Sequence, residues 1–166
     1  MSVAGRRYPA ASLGAVRRLV ASTFGLGLIP RRLWGSDSGA GTFGAAFAWA
    51  LGGVLLLVGA PWWWGAIAAA VATAASVWSA HRFADQGDPG WICMDETAGS
   101  LLAMIGLVGW PWLIASAVAR AADIWKVLPG VRRAEDLHGA VGITADDLVA
   151  GLYGLALGWA LTAAGL

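Results

Sequence analysis

The acidic residues that could do chemistry in this chain lie beside long apolar segments. The chain has 166 residues, of which 58% are hydrophobic and only 13% are charged. Asp95 and Glu96 stand together in "MDETAG", directly before 23 uncharged residues, and Asp146 and Asp147 precede another uncharged segment. Hard carboxylate oxygens suit Mg²⁺ or Ca²⁺ far better than zinc. Paired acids in so apolar a chain therefore predict a divalent-cation site, provided that other elements bring the ligands together.

Three long uncharged segments, which must position these acids, predict helices within a membrane. They cover residues 38–80, 97–119 and 148–166. A helix needs about 20 apolar residues to cross roughly 30 Å of hydrocarbon. The alternative is a soluble domain with buried helices, which would have to cover these segments with very few charged residues. We expect an all-α integral membrane bundle of about four to five apolar helices, some of them short or hairpin-like.

The first uncharged segment is long enough for two crossings joined near "VGAPWWW". Gly59 and Pro61 can end the first helix, and the tryptophans at 62–64 suit a membrane interface. Six arginines and no acid precede Asp37, so the positive-inside tendency places the N-terminal segment in the cytoplasm. We expect one domain over residues 1–166, with a basic segment at 1–37 and a helical bundle at 38–166. Both ends of the first hairpin would then face the cytoplasm.

The middle segment allows two topologies. A single crossing would put the basic residues that follow it outside, against the positive-inside tendency. A break at residues 109–111 instead gives two short helices, roughly 95–108 and 112–126, which can pack as a partly inserted hairpin. We expect the hairpin, followed by a last helix that begins near Asp146 with Thr144 as its cap. Gly151, Gly154 and Gly158 would allow that helix to pack closely against its neighbours.

This topology gathers most of the acids on one side of the membrane. Clustered carboxylates repel one another unless a positive charge sits among them, which favours a bound cation. Solvation and the helix dipole can also place acids at helix starts without a cation, and Asp123 can pair with Lys126 three residues on. The seven acids at cytoplasmic ends of apolar segments are Asp85, Asp88, Asp95, Glu96, Asp123, Asp146 and Asp147.

Cations near these acids can hold a phosphate group. Arg82, Arg120 and Lys126 lie in the same segments; arginine grips phosphate through two parallel hydrogen bonds, and lysine supplies a compact charge. The stretch "GAGTFG", residues 39–44, precedes an apolar helix, so backbone N–H groups around Gly41 and the Thr42 hydroxyl can bind an anion. Helix capping or packing is the alternative role, because the stretch lacks the GK[ST] ending of a P-loop.

Several motifs, taken in order, resemble the phosphatidylglycerophosphatase A family of bacterial membrane lipid phosphatases. They are "ASTFGLGLIP", "GAGTFGAA", "DPGWICMDETAG", "ARAADIWKVLP" and "GITADDLVAG", and they extend over about residues 21–151. The fourth motif departs from the family pattern, because Ala119, Ala122 and Val127 stand where the family usually has an aromatic-rich "FRxFD" before "WKP". An arginine expected five residues after the lysine is Val131 here, with Arg132 next to it.

The resemblance implies a Mg²⁺-dependent enzyme of the bacterial cytoplasmic (inner) membrane. It would be a multi-pass protein with its site on the cytoplasmic side, hydrolysing the terminal phosphomonoester of phosphatidylglycerophosphate to give phosphatidylglycerol. Its partner would be a phospholipid in the membrane and not a nucleic acid, and a homo-oligomer is neither predicted nor excluded. The resemblance implies catalytic roles for Asp95, Glu96, Asp123, Asp146 and Asp147. It implies metal binding by Asp88, Asp95, Glu96, Asp146 and Asp147, and phosphate binding by Gly41, Thr42, Arg120 and Lys126.

The residues themselves fit hydrolysis by a metal-activated water. A metal held by carboxylates neutralises charge on a phosphomonoester and lowers the pKa of a bound water, and a further carboxylate can accept the proton. An aspartyl-phosphate route is disfavoured because the "DxDx[TV]" signature is absent, and a histidine-dependent route because neither histidine lies in a "PSGH" motif. A CDP-alcohol phosphotransferase pattern is absent as well. The alternatives are a non-catalytic transporter or lipid-binding protein, in which the acids form an ion path, and a family relative with altered activity.

Overall fold

The described part of the chain is built entirely of helices and turns. The computed structural model describes residues 10–86, 89–126 and 128–166, and contains no strand within these ranges. This confirms the predicted all-α fold. The helices of the described residues are α1 (Ala10–Ala21), α2 (Ile29–Trp34), α3 (Ala40–Leu57), α4 (Trp62–Ala80), α5 (Met94–Ala103), α6 (Gly109–Trp125), α7 (Val131–Glu135) and α8 (Gly139–Ala163).

Three of these helices, α3, α4 and α8, are long and apolar enough to cross a membrane. Their outer faces carry large apolar side chains that are open to the surroundings, such as Leu57, Val71 and Trp159. An exposed apolar surface of this extent is costly in water but not in hydrocarbon. The fold is therefore that of a membrane protein.

The first long uncharged segment forms the predicted pair of helices. α3 ends at Leu57 and α4 begins at Trp62, so the connection is only residues 58–61. Gly59 has a positive φ of 65°, a conformation that costs glycine little, and Pro61 stands directly before α4 as its N-cap. Trp62 to Trp64, at the start of α4, are exposed, as expected of residues at a membrane interface.

The middle segment breaks into two short helices, as predicted, but at a different place. α5 ends at Ala103, and residues 104–108 form the turn before α6 begins at Gly109. Gly106 makes the turn possible, because its φ is +71° and a Cβ there would lie 2.8 Å from the Trp159 ring. Pro111 does not end a helix but lies in the first turn of α6, where its missing N–H costs nothing.

The predicted start of the last helix was wrong. α8 begins at Gly139 and not near Asp146, because the apolar residues before Asp146 pack against α4 and continue the helix. Ala140 lies in a buried cluster with Ala80 and Trp91. Thr144 is not a cap: its hydroxyl lies 3.1 Å from the Ala140 carbonyl and 2.8 Å from the Ser76 hydroxyl. Asp146 and Asp147 therefore lie about two turns inside the helix.

The helix directions bring the predicted site residues to one end of the bundle. Gly99 of α5 contacts Asp147 and Ala103 contacts Gly154, so α5 and α8 run in the same direction. Gly154 contacts Ala119 and Gly158 contacts Pro111, so α6 runs antiparallel to α8. As a result, the start of α5, the first half of α8 and the end of α6 lie side by side.

Candidate active site

The acids of α5 lie in its first turn, which is buried among other helices. α5 packs against α3, α4, α6 and α8. Asp95 is only 4% exposed, and its Oδ1 accepts a hydrogen bond of 3.0 Å from the backbone N–H of Glu96. Both acids occupy the end of the helix where backbone N–H groups favour negative charge.

Thr97 fixes this first turn of α5 against α3. Its hydroxyl lies 3.0 Å from the Gly44 carbonyl of α3 and 3.1 Å from the Thr23 hydroxyl. Thr97 is 1% exposed and Thr23 is fully buried, so these hydrogen bonds form away from solvent. Thr97 is not among the residues predicted from the sequence, although a polar side chain at the start of an apolar segment and next to two acids is a signal for such a role.

Close packing of α5 on α8 places Asp147 beside the α5 acids. A Cβ on Gly99 would lie 2.5 Å from the Asp147 carbonyl oxygen, and a Cβ on Gly151 would lie 2.5 Å from the Gly99 carbonyl oxygen. Glycine at both positions lets the two backbones approach each other directly. The prediction that glycines of the last helix serve close packing is confirmed for Gly151, Gly154 and Gly158.

The end of α6 contributes one carboxylate and two cations. Arg120 pairs with Asp123 on the same helix, and its Nη1 lies 3.7 Å from Glu96 Oε1 on α5. Lys126 Nζ lies 2.9 Å from Asp146 Oδ2 on α8. Lys126 follows the last residue of α6 and has a φ of +48°, which turns the chain at this point. Each cation therefore joins α6 to a carboxylate of another helix.

Five carboxylates converge in this way into two overlapping groups. Asp95, Glu96 and Asp147 form one, and Asp123, Asp146 and Asp147 form the other. Within each group, oxygen atoms from all three side chains lie within 4.8 Å of one another. Asp147 belongs to both. An all-oxygen set of this kind suits a hard divalent cation.

The carboxylates of this cluster need positive charge. Burial raises the pKa of Glu96 to about 8; Asp95 acts against the rise through a side-chain hydrogen bond, while the charge of Asp147 adds to it. Glu96 Oε2, Asp146 Oδ1 and Arg120 Nε are buried without a hydrogen-bond partner. Unsatisfied buried acceptors and donors are costly, so these residues fit a site completed by a cation and an anionic ligand.

The glycine-rich stretch reaches the same cluster through one of its two predicted residues. Gly41, in the first turn of α3, is buried, and a Cβ there would overlap the Glu96 carboxylate, with the Glu96 Cδ only 2.7 Å away, and the Arg120 guanidinium. Thr42 is exposed, so its predicted contact with phosphate stays a prediction.

Two of the seven predicted acids do not join the groups described above. Asp85 is exposed and belongs to neither carboxylate group. Asp88 lies outside the residues that the structure describes, and its predicted role as a metal ligand stays a prediction. Arg82 is also exposed. The remaining five acids, together with Arg120 and Lys126, form the candidate site.

Fold and site together define a helical membrane protein with a buried carboxylate centre able to hold a metal ion. A model of the phosphatidylglycerophosphatase A family matches residues 19–162 of the chain, and the chain belongs to this family. The family consists of phosphatidylglycerophosphatases, which are lipid phosphomonoester hydrolases. Comparison with curated proteins and with solved structures gave no match. The resemblance seen in the sequence is thereby confirmed.

Proposed function

We propose that the chain hydrolyses the terminal phosphomonoester of phosphatidylglycerophosphate, giving phosphatidylglycerol, in a Mg²⁺-dependent reaction at the cluster of five carboxylates. The observation that carries the proposal is the convergence of acids from α5, α6 and α8 with Arg120 and Lys126 at one end of an apolar bundle. Membership of the family supplies the class of substrate. The whole chain would act as one domain.

The carboxylates would hold the cation. The most buried of them are Asp95, Asp146 and Asp147, at 4%, 7% and 8% exposed, and Asp146 Oδ1 has no hydrogen-bond partner. A Mg²⁺ ion bound there supplies charge neutralisation for the phosphate and a lowered pKa for a bound water. Mg²⁺ commonly completes its coordination with water and phosphate oxygens, which leaves room for a substrate.

Arg120 and Lys126 would bind the phosphate group of the substrate. Both are about three-quarters buried, with 22% and 26% of their side chains exposed, and both lie next to the acids. Arg120 Nε has no partner and is therefore available as a donor. The absence of a side chain at Gly41 lets the Glu96 carboxylate and the Arg120 guanidinium lie directly against the backbone of α3.

The location that we propose is the bacterial cytoplasmic membrane, with the site on the cytoplasmic side. The arginine-rich N-terminal segment supports this orientation through the positive-inside tendency. The contact between Gly41 and Glu96 supports it as well, because α3 then begins at the end of the bundle that holds the carboxylates.

Phosphate release from phosphatidylglycerophosphate by the purified chain in detergent, with and without Mg²⁺, tests the proposal. We expect release only with Mg²⁺, and we expect Asp95→Asn and Asp146→Asn to reduce it by about a hundredfold or more, since each removes a charged ligand. Asp85→Asn is the matched control, because Asp85 is exposed and outside both carboxylate groups. A folded wild-type chain that releases no phosphate would contradict the proposed activity.

A further inference from the structure

The two carboxylate groups are separate sets of three that meet in a single side chain. Asp95 and Glu96 come from α5, Asp123 from α6 and Asp146 from α8, while Asp147 of α8 contributes an oxygen to each set. One cation placed in either set would reach only three of the five acids. The other two carboxylates would not take part in binding it.

Each group also has its own buried oxygen without a hydrogen-bond partner. In the first group it is Glu96 Oε2, and in the second it is Asp146 Oδ1. The Asp146 side chain is 10% exposed and the Glu96 side chain is 16% exposed. A buried acceptor without a partner is rare in folded proteins, and both of these lie within a group of converging carboxylates. The two atoms point to a ligand in each group.

The charges of the site also favour bound cations. Among the described residues, Arg120 pairs with Glu96 and Asp123, and Lys126 pairs with Asp146. The five acids outnumber these two cations, so further positive charge at the site favours binding of an anionic phosphomonoester.

We propose that the site binds two divalent cations, one in each carboxylate group, with Asp147 shared between them. The inference rests on the proposed function for the identity of the substrate, but the count of cations follows from the carboxylates themselves. In this arrangement Asp147 differs from the other four acids, because losing it affects both cations at once.

Binding of Mn²⁺ to the full chain in detergent tests the proposal without any measurement of turnover. We expect two Mn²⁺ per chain by equilibrium dialysis, and an electron paramagnetic resonance spectrum with the exchange coupling of two ions that share a ligand. Asp95→Asn and Asp123→Asn should each leave one uncoupled ion. Asp147→Asn should abolish the coupling, and the control Asp85→Asn should keep two coupled ions.

The outcomes separate this inference from the proposed activity. One Mn²⁺ per chain, with and without inorganic phosphate present, overturns it even if the chain hydrolyses the lipid. Two coupled ions in a chain that releases no phosphate support it and contradict the activity instead. The wild-type count decides the matter even where a variant fails to fold, and the absence of any bound Mn²⁺ overturns it as well.

Discussion

The backbone of Gly99 lies directly against the carbonyl of Asp147, since a Cβ on Gly99 would come within 2.5 Å of that oxygen. The contact joins α5 to α8 at the level where their acids meet. Because no side chain separates the two helices there, Asp95 and Asp147 can share one carboxylate group.

Gly99→Ala should therefore reduce both stability and activity. The added methyl group has to push α5 away from α8, which costs about 1–3 kcal/mol for overpacking, and a displacement of about 1 Å at a reacting centre can lower the rate about a hundredfold. Thermal unfolding in detergent and phosphate release measure the two effects. Gly53→Ala in α3 is the control, because a Cβ there meets nothing within 4 Å; equal behaviour of the two variants would contradict the role of the contact.

Thr97→Val should lower stability and, to a smaller degree, activity. The variant keeps the shape of the side chain but loses the hydrogen bonds to the Gly44 carbonyl and the Thr23 hydroxyl, worth about 1 kcal/mol each. The first turn of α5, with Asp95 and Glu96, then loses its side-chain hydrogen bond to α3 but keeps its packing against Gly41 and Gly44. Thr73→Val is the matched change, since the Thr73 hydroxyl bonds only within α4, to the Ala69 carbonyl. A larger loss in Thr73→Val would show that α5 is held by other contacts.

Arg120→Lys should reduce phosphate release by about ten- to a hundredfold. Lysine keeps the charge but cannot contact Glu96 and Asp123 at once as the guanidinium does, and a hydrogen bond to a charged group contributes about 1.5–3 kcal/mol. The rate measured against the mole fraction of substrate shows whether binding or turnover is affected. Arg32→Lys is the control, because Arg32 is an exposed arginine of α2, and it should change neither substrate binding nor turnover. Unaltered rates in Arg120→Lys would show that Arg120 does not take part in the site.

Lys126→Gly and Lys126→Ala should both lose activity but differ in stability. Each removes the ion pair with Asp146, yet only glycine adopts the φ of +48° without the cost of about 1–2 kcal/mol that a side chain incurs there. We expect the glycine variant to unfold at the higher temperature, with a difference in free energy of about 1 kcal/mol. The reverse order of unfolding temperatures would mean that the backbone relaxes once the ion pair is gone.

Much of this arrangement could be predicted from the sequence, because the apolar segments and the helix-breaking residues determine it. The uncharged run at 38–80 with Gly59 and Pro61 predicted the first pair of helices, and the acid pairs indicated residues that converge. The start of α8 could not be predicted, because Thr144 stands just before Asp146 and Asp147 and resembles a helix N-cap. In the structure its hydroxyl instead bonds the Ala140 carbonyl and the Ser76 hydroxyl. The division of the acids into two groups depends on the Gly99 contact, which only tertiary packing reveals.

The carboxylates lie together at one end of an apolar bundle, and this position also determines how the lipid substrate reaches them. A lipid whose tails stay in hydrocarbon reaches such a centre by lateral diffusion, so encounters depend on its share of the surrounding lipid and not on its amount per volume of solution. Inert lipid added at constant total substrate would therefore slow the reaction by surface dilution alone, without binding to the protein.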